Sequence, residues 1–133
     1  MSGESAAHTH LVEHLIAHVT DRHPCPRGLL ILADHHRFGT DRPWNIGPFT
    51  PDVFASDLPA TFEIVAEAKT PRDLVTPRSA RQITAFLDHL SLREQAFFYL
   101  GVPWFAVAQG QLVMKKLVRP EHSAVKVEVL ACV

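Results

Sequence analysis

Cysteine is scarce in this chain. Only Cys25 and Cys132 occur, far apart and outside any CxxC pair, which excludes a disulfide framework and fits a reducing, cytoplasmic setting in which both are buried or inert. A surplus of positive charge is also missing. Lysine and arginine number 13 against 14 aspartates and glutamates, a formal net charge of −1. Proteins that coat DNA by charge tend to be basic overall, so any nucleic-acid contact here must come from a local patch. Long apolar runs are absent too: the longest aliphatic stretch, Leu29 to Ala33, is far too short to span a bilayer. No charged n-region followed by an apolar h-region opens the chain, so neither a secretion signal nor a membrane partner is expected. There is no internal repeat.

What is present is enough for a core. Of 133 residues, 47% are apolar and 20% charged, which points to a single folded domain spanning 1–133 rather than a disordered chain. Met1 to Ala7 is small and polar and is expected to be disordered. From His8 to about Arg22, Leu11, Val12, Leu15, Ile16 and Val19 recur at helical spacing, and Pro24, Pro26 and Gly28 stop that helix. Leu29 to about His36 reads as a buried strand. "HRFGTDRPWNIGPFT", His36 to Thr50, reads as a loop, and Phe49 to Ala55 as a second strand with Pro51 near its start.

Thr61 to Lys69 reads as a third strand. Alternation puts Phe62, Ile64, Ala66 and Ala68 on one face and Glu63, Val65, Glu67 and Lys69 on the other. Thr76 is a candidate N-cap with Pro77 at the first helical position; Ile83, Phe86, Leu87 and Leu90 follow as an apolar stripe. "SLRE", Ser91 to Glu94, has the form of a capping box restarting a helix to about Leu100. Trp104 to Ala108 and Gln111 to Val118 read as strands around a Gln109-Gly110 turn, and Ala124 to Val133 as a last strand. The expected order is α-β-β-β-α-(α)-β-β-β, an α/β (α+β) chain with one mixed sheet flanked by helices.

Asp52, Glu67 and Lys69 are the residues with chemical promise. Phosphodiester hydrolysis needs a divalent cation, a water held on it and charge stabilisation of the transition state. Hard cations such as Mg²⁺ take carboxylate and carbonyl oxygens. Two carboxylates on neighbouring strands can share one ion. An ammonium two residues beyond one of them projects from the same face and can neutralise developing charge.

Pro51-Asp52 followed, after an intervening turn, by Glu67-Ala68-Lys69 resembles the PD-(D/E)XK nuclease superfamily, the fold of restriction endonucleases and archaeal-type Holliday-junction resolvases. The element order is similar as well: a leading helix, three strands with the motif on the second and third, a helix, then another strand. The resemblance covers roughly Leu11 to Ala108. It implies a restriction-endonuclease-like core α-β-β-β-α-β with extra C-terminal strands. It implies Asp52 and Glu67 as metal ligands with the Ala68 carbonyl, Mg²⁺ or Mn²⁺ as the ion, Lys69 as the catalytic lysine, and Gln82 as the glutamine that many members place near the site. Some members use a glutamate on the first helix, and Glu13 is the candidate within this one.

The same residues have plainer readings. Glu63, Glu67 and Lys69 would equally form the solvated face of an amphipathic strand, Asp52 a turn residue after proline, and Gln82 the far half of a capping box with Ser79. Glu13 points away from the apolar stripe and reads as a solvated glutamate. His10, His14 and His18 repeat every four residues and stack along one helix face; with a third ligand, two at that spacing can hold Zn²⁺, but the string "HLVEHLIAH" contains no HExxH. His35, His36 and His89 have no partner nameable from sequence. "MKKLVR", Met114 to Arg119, reads as a solvated strand edge.

The leading expectation is a small metal-dependent deoxyribonuclease, its DNA backbone contacted by Arg37, Arg42, Arg72, Arg78 and the Trp44 loop. A non-catalytic interaction protein that keeps the fold is the alternative, and a histidine-based zinc module the third reading. Cutting two strands with one small domain favours a homodimer.

Overall fold

Threonine, serine and proline set the helix starts. The computed structural model describes residues 5–25 and 28–133. The Ser5 hydroxyl accepts the His8 N–H at 3.1 Å and caps α1 (Ala6–Arg22). Of the stretch expected to be disordered, residues 1–4 lie outside the described residues, while Ala6 and Ala7 already belong to the helix. Pro26, one of its expected stops, is also outside them; α1 closes where the His23 N–H reaches the Val19 carbonyl at 3.1 Å.

β1 (Leu29–Ala33) follows, shorter than the expected run to His36, because the His35 side chain caps a single 3₁₀ turn, His36–Phe38. β2 (Val53–Asp57) begins later than expected and β3 (Phe62–Ala68) nearly where expected. Two Thr-Pro pairs then start helices: Thr70 caps α2 (Pro71–Leu74) and Thr76 caps α3 (Pro77–Leu90), each with proline at the first turn. The remaining long elements are β4 (Gln95–Pro103), α4 (Val107–Leu117) and β5 (Val125–Cys132).

The five strands form one mixed sheet in the order β1-β2-β3-β4-β5, antiparallel from β1 to β3 and parallel from β3 to β5. α1 covers one face: Leu11, Val12, Leu15 and Val19 pack on Ala33, Val53, Ala55, Ile64, Ala66, Ala68 and Tyr99. α3 and α4 cover the other, where Ile83, Phe86, Leu87, Leu90 and Met114 meet Phe54, Val65, Phe98, Leu100 and Val102. The alternation of β3 is thus as its sequence predicts, with Ile64, Ala66 and Ala68 toward α1 and Val65 toward α3. Each fully buried aliphatic side chain contributes about 1.5–3 kcal/mol. No helix among the described residues is long and apolar enough to cross a membrane.

Three expectations are corrected. The helix restart at "SLRE" does not occur: Ser91 closes α3, its hydroxyl donating to the Asp88 carbonyl at 2.7 Å, and Gln95 to Pro103 is strand. Phe97, Phe98 and Tyr99 suit a strand buried on both faces, where no polar alternation is left to read. The hairpin around Gln109-Gly110 is instead a 3₁₀ turn, Trp104–Ala106, running into α4. Gly110 is a packing residue there, since a Cβ would stand 3.1 Å from Val129 Cγ1. The extra C-terminal strands therefore reduce to one, β5, and the order is α-β-β-β-α-α-β-α-β.

Candidate active site

Antiparallel pairing sets Val53 opposite Ala66, so Asp52, one step before, comes opposite Glu67, one step after. The Asp52 N–H donates to Glu67 Oε1 at 3.0 Å, and the Ala68 N–H donates to Asp52 Oδ2 at 2.8 Å. Lys69 Nζ lies 3.3 Å from Glu67 Oε2 and donates to Gln82 Oε1 on α3 at 2.5 Å. Asp52, Glu67, Lys69 and Gln82 are thereby joined through one hydrogen-bonded cluster at one end of the sheet. Gln82 is turned toward Lys69 rather than into a capping box; the cap of α3 is Thr76, whose hydroxyl accepts the Ser79 N–H.

The solvated-face reading does not survive. Asp52, Glu67 and Lys69 are 7%, 3% and 7% exposed, and Glu63 on the same face is 7% exposed. Burying an ion costs several kcal/mol unless pairing offsets it. Here one ammonium stands against two carboxylates. Burial first, and the Asp52 carboxylate second, hold the Glu67 carboxyl well above the usual range, outweighing the pull of Lys69 in the other direction. Glu63 is balanced differently, between His89 Nε2 at 2.9 Å and Arg93 Nε at 2.5 Å.

The first helix contributes a residue that sequence reasoning missed. His8 Nε2 lies 3.3 Å from Asp52 Oδ2. Glu13 instead faces His35 Nε2 at 3.1 Å and Arg37 at 3.8 Å. Only the tertiary approach of the first turn of α1 to the entry of β2 singles out His8.

The donor set fits a hard divalent cation. When both are ionised, Asp52 and Glu67 offer carboxylate oxygens carrying more negative charge than Lys69 balances, a surplus that a bound cation would offset. In an extended strand a residue's N–H and C=O leave on the same side, so the Ala68 carbonyl faces the side of Asp52. Mg²⁺ is commonly held by one or two carboxylates, with water and substrate oxygens completing its shell. Among the described residues no three His, Cys, Asp or Glu side chains converge as a metal-binding group; the set here is two carboxylates and a carbonyl.

Comparison with known proteins returns no match to a family model, to a curated protein or to a solved structure. The chemistry of the site is therefore read from its residues alone.

The other candidates disperse. Arg42 pairs with Asp34, Arg37 with Glu13, and Arg78 lies 5.5 Å above the Phe49 ring. Arg72 is exposed on α2, on the segment that follows Lys69. Trp44 lines an apolar cavity of about 380 Å³ with Leu30, Ile46, Phe54 and the Glu63–His89–Arg93 group. That cavity opens toward the Glu63 end of β3, about 13 Å of strand from Glu67. His10 and His14 both point Nε2 at the Val133 carbonyl, at 2.8 and 3.0 Å, whereas His18 packs edge-on against Tyr99. Two of the three histidines thus meet a common oxygen and the third an aromatic ring. Lys115 and Lys116 sit in the last turn of α4, where cations favour the helix dipole.

Proposed function

We propose that this protein is a divalent-cation-dependent nuclease that hydrolyses DNA phosphodiester bonds at Asp52, Glu67 and Lys69. The observation that carries the reading is the buried cluster itself. Two carboxylates from adjacent strands and a lysine two residues beyond one of them are held by backbone N–H groups and Gln82 at the end of a sheet. A solvated strand or a hydrophobic core has no need of that charge, and nothing in the packing of α1 or α3 requires it.

Bound Mg²⁺ or Mn²⁺ would lower the pKa of a water and polarise the scissile phosphate. The residues supply the rest. Asp52, Glu67 and the Ala68 carbonyl would hold the ion. Lys69, fixed by Glu67 and Gln82, keeps a positive charge aimed at the developing oxyanion without reorganising at the moment of reaction. Gln82 positions that ammonium. His8, beside Asp52, orients its carboxylate. The succession of a helix, three strands, a helix and a strand agrees with the restriction-endonuclease-like core that the motif implies, and a homodimer would let two such sites address two strands.

The test is cleavage of duplex, branched and single-stranded DNA with Mg²⁺ and with Mn²⁺, run beside Lys69→Ala. Activity in the wild type that the variant loses supports the reading. A wild type inert on every nucleic acid would move the assignment to a non-catalytic interaction protein.

A further inference from the structure

Just past the candidate site the chain exposes an aromatic pair. Trp104 and Phe105 are 64% and 66% exposed, with ring centroids 5.6 Å apart and planes at 90°. They are not loose. Pro103 ends β4 immediately before them, and Ala106 immediately after is 3% exposed and part of the core. Two large rings are thus held in water on a short, pinned 3₁₀ turn.

Their position relates them to the carboxylates. Ala68 pairs with Gly101, and the Lys69 N–H donates to the Gly101 carbonyl at 3.0 Å. Trp104 lies three residues farther along the chain, about 10 Å of strand. The turn leads into α4, which packs on the same face as α3, the face to which Val65, Glu67 and Lys69 project. Arg72, exposed on α2, follows Lys69 at the same end of the sheet.

We propose that Trp104 and Phe105 form a stacking shelf for unpaired nucleobases, so that the strand reaching Asp52, Glu67 and Lys69 is single-stranded or frayed where it is cut. This rests on the hydrolytic reading above. Every base has a π-face, and aromatic side chains bind single strands by stacking without reading sequence. An edge-to-face pair presents one ring face to stack on and a second ring as a stop. Backbone charge on a bound strand would be met locally, with Arg72 exposed on the segment after Lys69. Base stacking inside a duplex hides those faces, so the shelf selects strands whose bases are already free.

The experiment uses the full chain with Trp44→Phe, which leaves Trp104 as the only one of the two tryptophans. An oligothymidylate of about ten nucleotides, within the site sizes usual for such surfaces, is added in the presence of chelator so that nothing is cut. Saturable quenching of Trp104 fluorescence is expected, and annealing the complementary strand should abolish it. In the otherwise wild-type chain, Trp104→Ala should weaken binding of a labelled oligonucleotide about tenfold, the loss of one stacked base, with an unchanged unfolding curve. Absent quenching, equal quenching by duplex, or a concentration-dependent oligomer that Trp104→Ala dissociates would overturn the shelf, the last because the pair would then be a protein interface. Quenching by single strands from a protein that cleaves nothing with Mg²⁺ or Mn²⁺ supports the shelf while ending the hydrolytic reading. Cleavage that Trp104→Ala leaves intact on every DNA form overturns the shelf alone.

Discussion

Replacing Glu67 by glutamine removes one charge and keeps the shape. In the native cluster two carboxylates face one ammonium, and Glu67 is 3% exposed. Burial and the neighbouring Asp52 raise the Glu67 carboxyl well above its ordinary value. For an acid raised in the folded state, the folded protein binds more protons than the unfolded one. The stability it contributes is fully present below the unfolded value and is lost as pH rises through the folded one. In chelator the wild type should therefore lose stability as pH rises from the ordinary carboxylate range through the raised value of Glu67, and Glu67→Gln should flatten that decline. The amide oxygen can still accept the Asp52 N–H, and Lys69 keeps Gln82. The cluster becomes one carboxylate against one ammonium. Once pH has passed the raised value of Glu67, the variant should gain about 1 kcal/mol, within the range common for relieving an unfavourable site. That is roughly 3–5 °C in Tm for a chain of this length. Added Mg²⁺ should raise the wild-type Tm, because it binds only the folded site, and should raise that of Glu67→Gln far less. Cleavage by the variant should fall to background. Thermal melts across pH, with chelator and with Mg²⁺, read all of this. A Tm of Glu67→Gln that stays below the wild type's at every pH up to the alkaline limit of the melts, in chelator, would refute the reasoning, since Lys69 would then fully compensate the carboxylate and the cluster would be a structural ion pair.

Lys69→Ala should lower cleavage on the order of 10²–10³, the usual loss of one aimed electrostatic group. Being buried, it should also destabilise the protein by about 1–3 kcal/mol through its abandoned partners. Excess Mn²⁺ should partly restore Asp52→Asn but not Lys69→Ala, because only the first loses affinity for the ion; equal rescue in a cleavage assay would count against the assigned roles. Gly101→Ala should cost about 1–3 kcal/mol in urea unfolding, since its Cβ would stand 2.8 Å from Leu15 Cδ2. His10, His14 and His18 should hold no structural metal. Melting with zinc and with a strong chelator should agree, and a large chelator-induced drop reversed by zinc would show otherwise.

The legible parts of this fold were those written in local chemistry. Thr76-Pro77 announces α3, and the alternation from Phe62 to Ala68 assigns both faces of β3. The Asp52, Glu67 and Lys69 juxtaposition was legible for the same reason: hairpin register and a two-residue spacing are sequence-local. What failed was set by tertiary burial. β4 lies in the sheet interior with both faces covered, so its apolar run has no period to read. α4 carries a glycine that serves close approach to β5, although glycine in sequence signals a turn. The contact of His8 with Asp52 joins the first helix to the second strand and has no sequence signature. Burial of Glu63, Glu67 and Lys69 was invisible because alternation tells which residues share a face, not whether a helix covers it.

Glu67 and Lys69 are carried at the end of β3, the middle strand of five, which is buried from Glu63 to Ala68, paired with β4 as far as Ala68 and with β2 as far as Ala66. Its amides belong to the class that exchanges with solvent only through global opening. Fraying of α1 or detachment of the outer strand β1 leaves Glu67 and Lys69 in place. Glu67 and Lys69 are thus the firmly held half of the cluster, while Asp52, just before β2 and beside His8, is the half that a local movement of the α1 start would displace. On the hydrolytic reading proposed above, the nucleic acid would have to fit itself to the half of the seat that β3 holds.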